Sequence, residues 1–187
     1  MAGTKTDKTW ADEVHAFWFE EVGPKGWFAP SDATDRAIID RFQSLHQTLA
    51  GRPSASFLSD ARVALSAVIV LDQFPRNMFR GTADAFATDG YARDIADAAI
   101  SAGLDSELTV DERVFLYLPF EHSEDLDDQE RAVALISALG DDVYTDFAER
   151  HRDVIARFGR FPHRNEMLAR TSTADERAFL EEKPNGF

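Results

Sequence analysis

From Val63 to Leu71 the chain is apolar at every position except Ser66. A half-buried strand would alternate apolar and polar residues, and this stretch does not. Val63, Leu65, Val68, Ile69, Val70 and Leu71 instead cover every side of a helical turn, which predicts a helix over about Asp60 to Phe74. A helix apolar nearly all round must be buried on several sides, so it should be the centre of the fold. The run is far shorter than the roughly 20 apolar residues needed to cross a bilayer.

Helical spacing recurs through the rest of the chain, and no stretch alternates convincingly. A first helix is predicted from about Thr9 to Val22, with Trp10, Val14, Phe17 and Trp18 inward and Gly23-Pro24 as its stop. Ser31 is a good N-cap for a second helix to about Leu49, facing Ile38, Phe42, Leu45 and Leu49 inward. The central helix comes third, and Pro75 should halt it, because proline lacks the N–H and clashes with the preceding turn. A fourth spans about Asp89 to Ala102 before Gly103, and Thr109 with Glu112 makes a capping box for a fifth, disturbed at Pro119. A sixth begins near Asp125 and ends at Gly140, with Leu126, Val133, Ile136 and Leu139 inward. A seventh covers about Asp142 to Phe158, and a last one follows the Thr173–Glu176 capping box to about Glu182.

The expectation is an all-α fold of about eight helices in stacked antiparallel hairpins, since short loops force neighbours to run opposite ways. With 187 residues, 44% of them apolar, and no linker rich in Gly, Ser or Pro, residues 1–187 are read as one domain with an ordered core over about 9–182. A net charge of −14 repels phosphate backbones and anionic bilayer surfaces, so neither a nucleic acid nor a membrane is an expected partner. The chain has no cysteine, which excludes disulfides and thiolate chemistry. The stretch MAGTKTDKTWADEV has no apolar signal core, and the expected location is the cytoplasm.

Three motifs gather the unusual polar residues. The first, Asp72-Gln73-Phe74-Pro75-Arg76-Asn77-Met78-Phe79-Arg80, closes the central helix. The second is Pro119-Phe120-Glu121-His122-Ser123-Glu124-Asp125. The third, Arg157-Phe158-Gly159-Arg160-Phe161-Pro162-His163-Arg164-Asn165, closes the seventh helix and echoes the first. Phe, Pro and Asn in these motifs have plain structural uses as core, stop and cap, which leaves Arg76, Arg80, Arg160 and Arg164 to be explained. Between Arg150 and Arg170 six arginines stand against two acids, a basic island that would focus anions in an acidic protein.

His151 shares a helix face with Tyr144, Phe147, Val154 and Phe158, so its ring should point inward. An inward histidine can be a satisfied core residue or a proton handler. His122 lies between Glu121 and Glu124, either of which could orient its ring. No strong zinc pattern and no phosphate-cradling glycine loop is present, so neither a metal nor a cofactor is expected.

The stretches LDQFPRNMFRGTADAFATD, FLYLPFEHSEDLDDQE and HRDVIARFGRFPHRN resemble the bacterial domain-of-unknown-function family numbered 924, over about Trp10 to Leu180. The resemblance implies an all-α, tetratricopeptide-like fold and no particular activity. The 34-residue Trp-Leu-Gly-Tyr pattern of true tetratricopeptide repeats is missing, so the likeness concerns helix packing.

Two readings of function stand. In one, a pocket binds or turns over a small phosphate- or carboxylate-bearing ligand. Arg76, Arg80, Arg160 and Arg164 would hold the anion, and Asp72, Asn77, Glu124, His163 and Asn165 would add directional bonds. His122 and His151 would move protons, with Glu121 as orienter. In the other, stacked hairpins form a scaffold for a protein partner and the polar motifs are structural. Whether the protein is an enzyme is left open by the sequence.

Overall fold

The computed structural model describes residues 4–184 and Gly186, without the side chains of residues 4–9. Among the described residues the chain forms eight helices and no strand. They are α1 (4–22), α2 (Asp32–Ala50), α3 (61–78), α4 (Asp89–Ser101), α5 (Val110–Glu121), α6 (Leu126–Ser137), α7 (Asp142–Phe158) and α8 (Ala174–Glu182). None of them is long and apolar enough to cross a membrane. The chain forms two compact units, one of residues up to Arg80 with Asp84–Leu116, the other of Gly81–Ala83 with Tyr117–Phe187.

The first unit is built around α3, whose residues Val63–Leu71 are all at most 1% exposed. Ser66, the one polar residue in that run, donates its hydroxyl to the Ala11 carbonyl of α1 at 2.9 Å. A buried hydroxyl is tolerated on that condition. Trp18 and Phe17 of α1, Phe42 of α2 and Phe74 of α3 form one aromatic core, with Phe42–Phe74 centroids 4.9 Å apart and Trp18–Phe74 5.7 Å apart. Phe115 of α5 stands edge-on to Trp18 at 5.6 Å. Each such buried side chain contributes roughly 1.5–3 kcal/mol.

Pro75 does not halt the central helix as expected. A π-turn at Ile69–Gln73 widens α3 just before it, and the helix resumes as Phe74–Met78 with Pro75 in its first turn. The wider turn relieves the clash that proline makes in a regular helix. The Leu71 carbonyl, four residues before Pro75, accepts a 2.5 Å bond from the Thr88 hydroxyl. A second π-turn closes α1 at Ala16–Val22, and Gly23 at φ +64° ends it, followed by a single helical turn, Gly23–Gly26.

In the second unit α6 packs along α7, joined by four residues. Asp125 and Asp141 cap the two helices, each accepting backbone N–H groups, and Gly159 ends α7 in the left-handed region. Gln129, fully buried, donates its side-chain amide to the carbonyls of Glu121 at 2.6 Å and Ser123 at 2.7 Å, satisfying acceptors where α5 ends. Two inward assignments are corrected. Leu126 is 44% exposed, because α6 turns Gln129, Ala132 and Ile136 to the interior. Phe147 is 46% exposed, because the buried stripe of α7 runs through Ala148, Val154 and Ile155. Phe147 lies at the edge of that stripe, beneath Arg150.

Candidate functional site: two polar clusters

The first motif lies in the first unit, and each of its cations meets a carboxylate. Arg76 presents its fork to Asp89 at 2.9 and 2.8 Å, donates to the Asp72 carbonyl, and lies 3.5 Å from the Asp72 carboxylate. Asp72 is fully buried and also accepts from Gln73 at 2.6 Å. The carboxylates raise the Arg76 pKa although burial opposes them. Arg80 and Asn77 both donate to Asp35 of α2, at 2.9 and 2.7 Å. Burial alone would push the Asp35 carboxyl up, but these bonds outweigh it and hold its pKa below the usual value. So Asp72, Arg76, Asn77 and Arg80 form an ionic lattice tying α2, α3 and α4 together.

The second unit holds Glu124, Arg160 and Asn165 in a similar lattice. Arg160 donates to both oxygens of Glu176, at 2.6 and 2.9 Å, and Asn165 donates to Glu176 at 3.3 Å. Glu176 also closes the capping box of α8, accepting the Thr173 N–H at 2.6 Å. The Arg160 bonds dominate, and the Glu176 pKa is lowered to about 2. Glu124 accepts the fork of Arg170 at 2.6 and 2.9 Å and the Phe161 N–H at 2.8 Å. Glu176 and Arg170 were not among the expected site residues. Arg170 belonged to the basic island, and Glu176 was visible only as a capping residue.

A distinct group of side chains surrounds Phe161. His151 lies 5.8 Å and His163 5.6 Å from its ring, centroid to centroid, and the Arg164 guanidinium carbon stands 4.4 Å over it. His122 is 6.4 Å from His151, and its carbonyl accepts from Arg164 at 3.0 Å. Glu121, 4% exposed, places a carboxylate oxygen 3.1 Å from Nδ1 of His151. The structure therefore brings Glu121, His122, His151, His163 and Arg164 together.

His151 points inward as its phase predicted, with a side chain 12% exposed. Burial lowers its pKa to about 3, and the neighbouring His122, Arg164 and His163 add to that effect. Nδ1 lies 2.8 Å from the Phe147 carbonyl, an acceptor, so the neutral ring carries its hydrogen on Nδ1. Nε2 is then the lone-pair nitrogen, and any partner it takes must donate. Among the described residues no group of three or more His, Cys, Asp or Glu side chains could hold a metal ion.

Among the described residues, helices carrying an ionic lattice in each unit and a histidine cluster in the second define an all-α protein. The chain belongs to the family described as "Bacterial protein of unknown function (DUF924)", which matches residues 14–184. It is similar to a solved structure of a protein of unknown function from Agrobacterium tumefaciens, at 46% identity and a TM-score of 0.89, covering 94% of this chain and 98% of that one. No curated protein matches the chain.

Proposed function

We propose that the protein binds a small anionic ligand, a phosphate or a carboxylate, at the cluster of His122, His151, His163 and Arg164. The supporting observation is the gathering of His151, His163 and the Arg164 guanidinium around Phe161, with His122 beside His151, from three separate stretches of chain. Arg164 offers charge-assisted donors in a dry setting, where they are strongest. In this reading Glu121 orients His151, and turnover would draw its proton transfers from His122 or His163. A pKa of about 3 makes His151 a poor base at neutral pH. Arg76, Arg80 and Arg160 serve the fold through their own carboxylates.

Thermal unfolding in the presence of phosphorylated and carboxylated metabolites tests the reading. A ligand at 100 times its Kd stabilises by about 2.7 kcal/mol. Arg164→Gln should abolish the shift while the protein stays folded. A shift that survives Arg164→Gln contradicts the proposal.

A second reading, a scaffold for a protein partner, has one observation in its favour. Val143 and Phe147, one turn apart on α7, are 64% and 46% exposed. A net charge of −14 would select a basic partner. Phe147→Glu would weaken such binding and leave a ligand shift at Arg164 intact.

A further inference from the structure

On α7, Arg150, Asp153, Val154, Arg157 and Phe158 recur at the spacing of a single helix face. With Phe179 of α8 and Lys183 just beyond it, they line an open pocket of ≈ 360 Å³. That volume is within the range of small-molecule sites, about 300–1,000 Å³. Its floor is aromatic, with the Phe158 and Phe179 rings 5.1 Å apart. Its rim is cationic. Two of the charged lining residues are already neutralised, Asp153 by Arg152 at 2.7 Å and Arg150 by Asp146 at 2.5 Å. Arg157 lies over both rings, 4.6 Å from Phe158 and 5.7 Å from Phe179. Neither Arg157 nor Lys183 has a carboxylate partner among the described residues.

Two cations with no carboxylate partner among the described residues thus stand beside an apolar floor on a protein of net charge −14. We infer that this face of α7 and α8 is a second binding site, for an amphipathic anion with an aromatic or alicyclic body and a carboxylate, sulfonate or phosphate head. The body would lie on Phe158, Phe179 and Val154, excluding water from their faces. The head would meet Arg157 and Lys183. The guanidinium already stands over the two rings, so it loses little freedom on pairing. None of its charged lining residues belongs to the group around Phe161, although Val154, Phe158 and Phe179 pack with Phe161 in one hydrophobic cluster.

Anilinonaphthalene sulfonate, an aromatic anion with environment-sensitive fluorescence, is a suitable probe, with neutral phenylnaphthylamine as its uncharged counterpart. The anion should bind saturably with one site per chain, and the neutral counterpart at least about tenfold more weakly, a difference of about 1.4 kcal/mol. The double variant Arg157→Gln/Lys183→Gln should weaken the anion by about tenfold or more, with an unchanged melting temperature. Lys183→Gln alone, at an exposed position past the last helical residue, should give a smaller loss of the same sign. Arg62→Gln, an exposed change in the first unit, should have no effect. Equal binding of the charged and neutral probes overturns the inference, as does undiminished binding by the double variant or the absence of saturable binding.

Discussion

Glu121 Oε1 lies 3.1 Å from His151 Nδ1, yet the imidazole is held neutral. The pair would be an ion pair on a wet surface. Here burial dominates, and two more imidazoles and a guanidinium stand nearby. The ring should therefore stay uncharged throughout the neutral range. An NMR titration of the imidazole protons should show no inflection for His151 between about pH 5 and 8, whereas an unperturbed histidine titrates near 6.5. An inflection for His151 near neutrality would contradict the account.

The same depression sets a stability slope. The folded ring takes a proton only near pH 3, and the unfolded one near 6.5. Between those values the unfolded chain binds more protons, so stability falls as pH drops below about 6, by at most about 1.4 kcal/mol per unit from this group. Urea midpoints against pH should show this fall, and His151→Gln should flatten it.

Glu176 contributes at lower pH. Its folded pKa is about 2 against an ordinary 4.5, so its stabilisation is complete above 4.5 and is lost as pH falls toward 2. Glu176→Gln should remove the pH dependence in that window. It should also loosen the start of α8, because the same side chain closes the capping box. Amide exchange across Ala174–Arg177 measures that loosening. Unchanged exchange would mean that the cap stands without the carboxylate.

Arg76 and Arg80 separate a buried pairing from an exposed one. Arg76→Gln takes the guanidinium away from Asp89 and from the Asp72 carboxylate, which has no exposure at all, and should cost about 3–5 kcal/mol. The Arg80 side chain is 50% exposed, and Arg80→Gln should cost about 1 kcal/mol or less. Chemical denaturation of both variants decides it. Equal losses would mean that the lattice around Asp72 is not the stabilising element.

Gly186 is a third local test. It has φ +93°, and an added Cβ would come 2.2 Å from Nδ1 of His163. Gly186→Ala should therefore displace the His163 ring or the segment against it. The His163 imidazole resonances should move, with a stability loss on the order of 1–2 kcal/mol. Resonances identical to those of the parent protein would contradict this close approach.

Much of the fold was legible because helix ends are written locally. Ser31, Asp125, the two capping boxes and Gly159 act on backbone groups within four residues, and the structure keeps each of them. What was not legible depended on distant partners. Asp35 meets Arg80 across 45 residues, and Glu124 meets Arg170 across 46. No periodicity encodes such a pairing. Pro75 was misread because a π-turn, which proline does not announce, lets the helix pass through it. Phe147 was misread because phase places a residue on a broad face and does not tell its centre from its edge. The inward turn of His151 was visible in the sequence; its meeting with His163 and Arg164 around Phe161 required the folded chain.

The imidazole resonances of His122 and His163 during titration with inorganic phosphate and with citrate test the central proposal most directly. Both residues should shift together and saturably with at least one of these anions, and Arg164→Gln should abolish the response without unfolding the protein. Resonances that stay fixed up to high concentrations of both anions, or that respond equally in the Arg164→Gln variant, would contradict it.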